Sequence, residues 1–403
     1  MRSNLIIKNT FLFFALSIFS CGKSAQTNNI AQKNTSSIYS QEQPIQTGAQ
    51  VLATQLQSLK NKKVGVLTNP SGIIDDKTHL VDFLVNNHIN VTKIYAPEHG
   101  FRGTADAGEL IKDGKDAKTG LPIISLYGNH KKPSAEQLQD IDILIFDLQD
   151  VGARFYTYIS SLHYAMEACA EQNIPILVLD RPNPNGNIID GPILEPEHKS
   201  FVGMHPIPVL HGMTIGEYAQ MINGEKWLKN GIQADLKVLK MENYNHNLPY
   251  KLPVKPSPNL PNEQAINLYA SLCFFEGTNV SVGRGTEMQF QIYGSPFISG
   301  LPFAFTPKPN FGAKDPMHNG KKCFGENLTN APKLNKLELK YLITAYHHTA
   351  DKSKFFNPFF TKLAGTKKLQ KQIEMGLTED EIRATWEIGI NQFKKTRANY
   401  LLY

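Results

Sequence analysis

From Asn61 onward, short and nearly continuous apolar runs alternate with amphipathic stretches. Val64-Gly65-Val66-Leu67, Val91-Thr92-Lys93-Ile94-Tyr95, Ile123-Ile124-Ser125-Leu126, Ile143-Leu144-Ile145-Phe146 and Ile176-Leu177-Val178-Leu179 are rich in β-branched residues and read as strands. Thr78 to Asn86 carries helical spacing, and Tyr158, Leu162, Ala165, Met166 and Cys169 share one face of a second helix. A third opens at Ser134-x-x-Gln137, a capping box in which the glutamine reaches back to the Ser134 amide. Strands alternating with helices imply right-handed crossovers and a parallel, doubly wound sheet.

Past Asp190 the pattern changes. Thr214-Ile215-Gly216-Glu217 resembles a capped helix start running to Asn223, and Leu236 to Leu239 reads as a strand. Lys255-Pro256-Ser257-Pro258-Asn259-Leu260-Pro261 is extended and proline-rich, which suits a linker or a groove wall. Thr378-x-x-Glu381 is another capping box, starting a helix that runs toward Phe393. The expected organisation is α/β, with a parallel-sheet domain over residues 50–195 and a second, C-terminal α/β domain over residues 196–403.

Ahead of these domains, Arg2 and Lys8 flank the start of an apolar run, Phe11 to Phe19, too short to span a bilayer. The run ends at Ser20-Cys21-Gly22, the arrangement of a bacterial lipoprotein signal peptide (residues 1–20) in which Cys21 carries the lipid. A flexible tether is expected over residues 21–49, where Ser, Asn and Gln dominate. The expected location is therefore the cell envelope, lipid-anchored and facing the periplasm. Across 403 residues the charge is +6, and +4 without Arg2 and Lys8, too mild to argue for nucleic acid. Cys169, Cys273 and Cys323 form no C-x-x-C pair, so no disulfide framework is expected.

In a parallel sheet, ligands bind beyond the carboxyl ends of the strands. The segments leaving the strands concentrate acids, amides, guanidinium groups and glycines there. They include Ala96-Pro97-Glu98-His99-Gly100-Phe101-Arg102-Gly103, Asp147-Leu148-Gln149-Asp150-Val151-Gly152-Ala153-Arg154-Phe155-Tyr156 and Asp180-Arg181-Pro182-Asn183. No G-x-G-x-x-G follows the first strand and no P-loop occurs, which removes the usual anchors of nucleotide binding. Glu98 stands out, held between a proline and a glycine-bounded loop at the mouth of the sheet. Glu276 and Glu287, near Arg284 and its flanking glycines, form a second acidic group.

Together with Phe275-Glu276-Gly277-Thr278-Asn279, Gly283-Arg284-Gly285-Thr286 and the terminal Tyr400-Leu401-Leu402-Tyr403, these motifs resemble the NamZ/YbbC-like family of exo-β-N-acetylmuramidases. The resemblance covers roughly Gln50 to Tyr403. It implies a Rossmann-like domain joined to a smaller one across a cleft, and release of N-acetylmuramic acid from the non-reducing ends of peptidoglycan fragments in cell-wall recycling. The family glutamate maps onto Glu98, the expected general acid. Glycoside hydrolysis needs a second group, for which Asp147, Asp150, Glu276 and Glu287 are candidates, unless the substrate's acetamido carbonyl assists. The lactyl carboxylate calls for a bidentate cation, Arg154 or Arg284. His99, Arg102, Gln149, Tyr156, Arg181 and Asn183 complete the expected binding set. No cofactor, metal or nucleic acid is expected; the partners are muramic-acid sugars and, through the lipid, a membrane. Two other readings stay open: a muropeptide-binding lipoprotein without catalysis, and a metal-dependent hydrolase using His99 with Asp147 or Asp150.

Overall fold

The computed structural model describes residues 43–102 and 113–403. The expected signal peptide, Cys21, most of the tether and Gly103 lie outside the described residues.

Five parallel strands form the heart of the sheet: β1 (Val64–Thr68), β2 (Val91–Ala96), β4 (Pro122–Ser125), β5 (Ile143–Asp147) and β6 (Ile176–Leu179). A two-residue strand, β3 (Gly114–Lys115), pairs antiparallel with β4 at one edge. Beyond β7 (Ile189–Asp190) and β8 (Leu210–His211), which pair with each other, β9 (Leu236–Leu239) joins β6 in parallel at the opposite edge. The order is β3-β4-β2-β1-β5-β6-β9. The last strand lies beyond residue 195, so the change of pattern there does not end the sheet.

Side chains alternate across the sheet because a strand has a period of two. Val64, Val66, Ile143 and Ile145 face a core closed by Leu52 of α1 (Gly48–Ala53) and by Leu80, Val81 and Leu84 of α2 (Leu80–Asn86). Leu67, Leu144, Phe146 and Val178 face the opposite way, toward a larger core. That core takes in α4 (Tyr158–Glu171), α5 (Ile215–Gly224) and α6 (Glu263–Leu272), and continues through Phe274, Phe275 and Phe360 toward the C-terminus. Both faces are covered, which explains why these strands read as continuous apolar runs. The expected capping boxes all form, at Ser134 ahead of α3 (Ala135–Leu138), at Thr214 and at Thr378.

The C-terminal part carries a three-stranded antiparallel sheet, β10 (Ile292–Ser295), β12 (Cys323–Asn327) and β11 (Phe303–Phe305) in that order, followed by helices. Residues 43–403 form one compact unit. The end of the segment that composition assigns to a tether is part of it: Gln46 and Glu242 exchange backbone hydrogen bonds, and the Gly48 N–H donates to Asp180 O.

Candidate active site

Glu98 sits in the turn that leaves β2. The Gly100 N–H closes this turn on Pro97 O at 3.1 Å, and His99 and Gly100 both adopt positive φ, 73° and 75°. A non-glycine residue in the left-handed region carries strain that the surroundings must hold, and such strain gathers at functional sites.

The surroundings hold it from three loops. Tyr127, just past β4, donates its hydroxyl to Glu98 Oε1 at 2.9 Å. Thr157, at the start of α4, approaches Glu98 Oε2 at 3.4 Å, and the next residue, Tyr158, donates to the Glu98 carbonyl at 3.4 Å. Tyr158 also accepts from Asn69 Nδ2 at 2.6 Å. Asn69 Oδ1 receives the Ser71 amide, and the Ser71 hydroxyl receives the Gln149 N–H. The segments leaving β1, β2, β4 and β5 are therefore laced together around one carboxyl group. Burial, with Glu98 beside them, pushes the Tyr127 and Tyr158 phenols upward, so both remain protonated donors at neutral pH.

Glu98 opens into a recess lined from two sides. The sheet side contributes Glu98, His99 and Phe155 to Tyr158; the facing side contributes Ser257, Asn259, Leu260, Tyr269, Arg284 and Phe290. The proline-rich segment thus forms a wall of the groove. Arg284 lies on a glycine-flanked turn, with Gly283 and Gly285 at φ 77° and 80°. Its Nε and Nη2 both donate to Glu276 Oε1, at 2.8 and 2.6 Å, and its guanidinium lies 5.2 Å from the Phe290 ring centre. Burial weakens the guanidinium's hold on its proton, but Glu276 more than reverses this and the net displacement is upward. Arg284 is a fixed cation at the recess.

Of the residues expected from sequence, the recess brings together Glu98, His99, Tyr156 and Arg284, with Glu276 behind Arg284. Tyr156 is committed, its hydroxyl donating to Pro256 O at 2.6 Å, and it joins the two walls. The others lie outside the recess lining. Asp147 is fully buried in a bidentate pair with Arg181, at 2.6 and 3.0 Å. Asp150 accepts the Gly152 N–H at 2.6 Å, Gln149 donates to Asp150 O and Pro182 O, and Asn183 donates to Met213 O. Arg102 is shared between Asp82 and Asp116, and Glu287 is exposed. Arg154, buried throughout, spends its Nη1 and Nη2 donors on the carbonyls of Pro192, Ile207, Leu363 and Ala364.

Sequence reading passed over Tyr127, Asn259 and Phe290. Tyr127-Gly128 does follow a strand, but its link to Glu98 spans 29 residues and has no local periodicity. Among the described residues, one trio of potential metal ligands clusters, Glu195, Glu197 and His198. It is not part of the recess, and Glu195 already pairs with Lys368 at 2.7 Å. Within the described lining, Glu98 is the one carboxylic acid.

Two family models match the chain: Exo-beta-N-acetylmuramidase NamZ, N-terminal, over residues 64–264, and its C-terminal counterpart over residues 267–403. They meet at α6. The chain is 42% identical over 382 residues to the peptidoglycan beta-N-acetylmuramidase NamZ of Bacillus subtilis, covering 89% of this chain and 91% of the relative. Two crystal structures of DUF1343 family proteins from Bacteroides fragilis share the fold. One has a TM-score of 0.83 at 47% identity and covers 90% of this chain and 99% of its own. The other has a TM-score of 0.75 at 30% identity, covering 89% and 99%.

Proposed function

Because the chain belongs to the NamZ family of exo-β-N-acetylmuramidases, we propose that its recess binds the terminal N-acetylmuramic acid of a peptidoglycan fragment and that Glu98 protonates the departing oxygen. The chain is an exo-acting glycoside hydrolase, as its relative's activity and the two matched domains require. The observation that carries the role of Glu98 is its position: a carboxyl group fixed by Tyr127 and opening into a recess faced by a cation.

Arg284 is the receptor for the lactyl carboxylate, since it alone of the two candidate arginines reaches the recess. With one carboxylic acid in the described lining, assistance by the substrate's own acetamido carbonyl accounts for the second half of the reaction more simply than Asp147, whose oxygens Arg181 occupies. Cleavage at the surface of the cell wall fits an exported enzyme. Arg2, Lys8, the apolar run and Ser20-Cys21 support a signal peptide and a lipid on Cys21, holding the enzyme on the envelope facing the periplasm.

Glu98→Gln tests the acid. It preserves shape and should retain binding of N-acetylmuramic acid while turnover of substrates with unactivated leaving groups falls by about two decades or more. Wild-type turnover in this variant would retire the assignment.

A further inference from the structure

A residue of the recess lining carries a polar atom that no other described residue meets. Asn259 lines the recess and is 1% exposed. Its Nδ2 donates to Gly312 O at 2.6 Å, and its backbone N–H donates to Ser257 Oγ at 3.2 Å. A carbonyl only accepts, so the bond to Gly312 fixes which end of the amide is nitrogen. The remaining atom, Oδ1, is buried and has no hydrogen-bond partner among the described residues. An orphaned buried acceptor is disfavoured, and nearly all such groups in native proteins are met by something.

What meets it must bring a donor. Beside Asn259 the recess is walled by Phe155, Leu260, Tyr269 and Phe290, all buried, with the Tyr269 and Phe290 rings edge to face at 5.0 Å. A buried acceptor beside apolar side chains complements a group that carries an N–H next to a methyl. A sugar hydroxyl offers the donor without the methyl, and a lactyl group offers the methyl with a carboxylate that belongs on Arg284. The 2-acetamido group of an N-acetylated hexosamine supplies both. We infer that Asn259 is a specificity-determining residue that accepts the acetamido N–H, with the aromatic wall receiving the acetyl methyl. This rests on the reading of the recess as the site of the terminal sugar.

The experiment measures dissociation constants by calorimetry, so it does not depend on turnover. N-acetylmuramic acid is compared with its 2-deoxy analogue, which lacks the whole acetamido group, on wild type, Asn259→Ala and Asn259→Ser. Wild type should prefer the acetylated sugar by about 100-fold, and both variants by about tenfold, the difference being the one hydrogen bond. An equal preference in wild type and variants overturns the inference. So does a wild-type protein that binds both sugars equally or binds neither, a result that needs no variant to fold. The expected ratios in a protein that leaves chromogenic muramides intact would overturn the hydrolase reading and keep Asn259 as the acetamido reader.

Discussion

Arg154→Met separates a structural arginine from a ligand-binding one. Arg154 is completely buried, touches no carboxylate, and donates to four carbonyls at 2.7 to 3.0 Å. Burial pulls its guanidinium down to about 9, so it is still charged at neutral pH. Those carbonyls lie in three stretches of chain: Pro192, Ile207, and Leu363 with Ala364, near the end of the helix Phe359–Ala364. Methionine approximates the volume but donates nothing, and leaves the carbonyls of Pro192, Leu363 and Ala364 without this donor, while Ile207 O keeps the Leu194 N–H at 3.2 Å. At about 1 kcal/mol for each bond, partly offset by removing a buried charge and raised again by the orphaned carbonyls, the loss is about 4 kcal/mol. Urea unfolding followed by circular dichroism measures it directly. Arg284→Met should lose no more than about 2 kcal/mol, because its side chain is half-buried and its bonds go to Glu276, which retains access to water. Its defect should instead be the ability to prefer muramic acid over N-acetylglucosamine, which lacks the lactyl group. If Arg154→Met stays within about 1 kcal/mol of wild type and loses that preference, the assignment of the two arginines is reversed and the reasoning fails.

Tyr127→Phe removes the donor to Glu98 Oε1 and should lower kcat about tenfold with little change in KM or stability; an unchanged kcat refutes the positioning role. Tyr403→Phe loses a bond to the buried Asp180 and another from the Met241 N–H, both 2.7 Å, and should cost about 2 kcal/mol in urea unfolding without altering turnover per folded molecule. Two buried groups act on stability with opposite sign over nearly the same pH window and largely cancel in wild type. Burial holds His163 down at about 4, so below about 6.5 the unfolded chain takes up a proton that the folded chain refuses; its contribution is full above about 6.5 and is lost as pH falls toward 4. Burial holds Asp180 up at about 6, so its contribution is full below the ordinary carboxylate value and is lost as pH rises through 6. His163→Gln should remove the first contribution and leave the second, and a profile with the same shape as wild type would contradict this.

The sheet was legible because its physics is local. A strand buried on both faces must be apolar along its length, and each of the five runs chosen on that ground became a strand. The capping boxes at Ser134, Thr214 and Thr378 were legible for the same reason, since cap and partner lie three residues apart. The roles of charged residues were less so. Asp147 and Glu98 both follow strands at the same edge, and nothing local distinguishes them. Arg181, 34 residues on from Asp147, closes on it and removes it from the recess. Arg154 lies in the motif-rich stretch after β5, yet two of its acceptors are more than 200 residues away. The boundary near residue 195 reflected a real change in pattern, but β9 returns to the sheet after it, and a return of this kind is visible only once strands are paired.

These buried pairs also account for how one half-buried carboxyl can be held accurately. The loops at the sheet edge carry many charges, and unsatisfied charges there would draw in water and leave the loops mobile. Instead Arg181 neutralises Asp147, Asn69 ties Tyr158 to Ser71, and Arg154 staples the segment after β5 to the end of a C-terminal helix. Each link fixes a backbone that bears a recess residue. Arg154 adjoins Phe155 and Tyr156, and Asn69 holds the tyrosine that holds the Glu98 carbonyl. Polar side chains at this edge therefore set the geometry through bonds to one another and to the backbone, and leave Glu98 and Arg284 facing the recess.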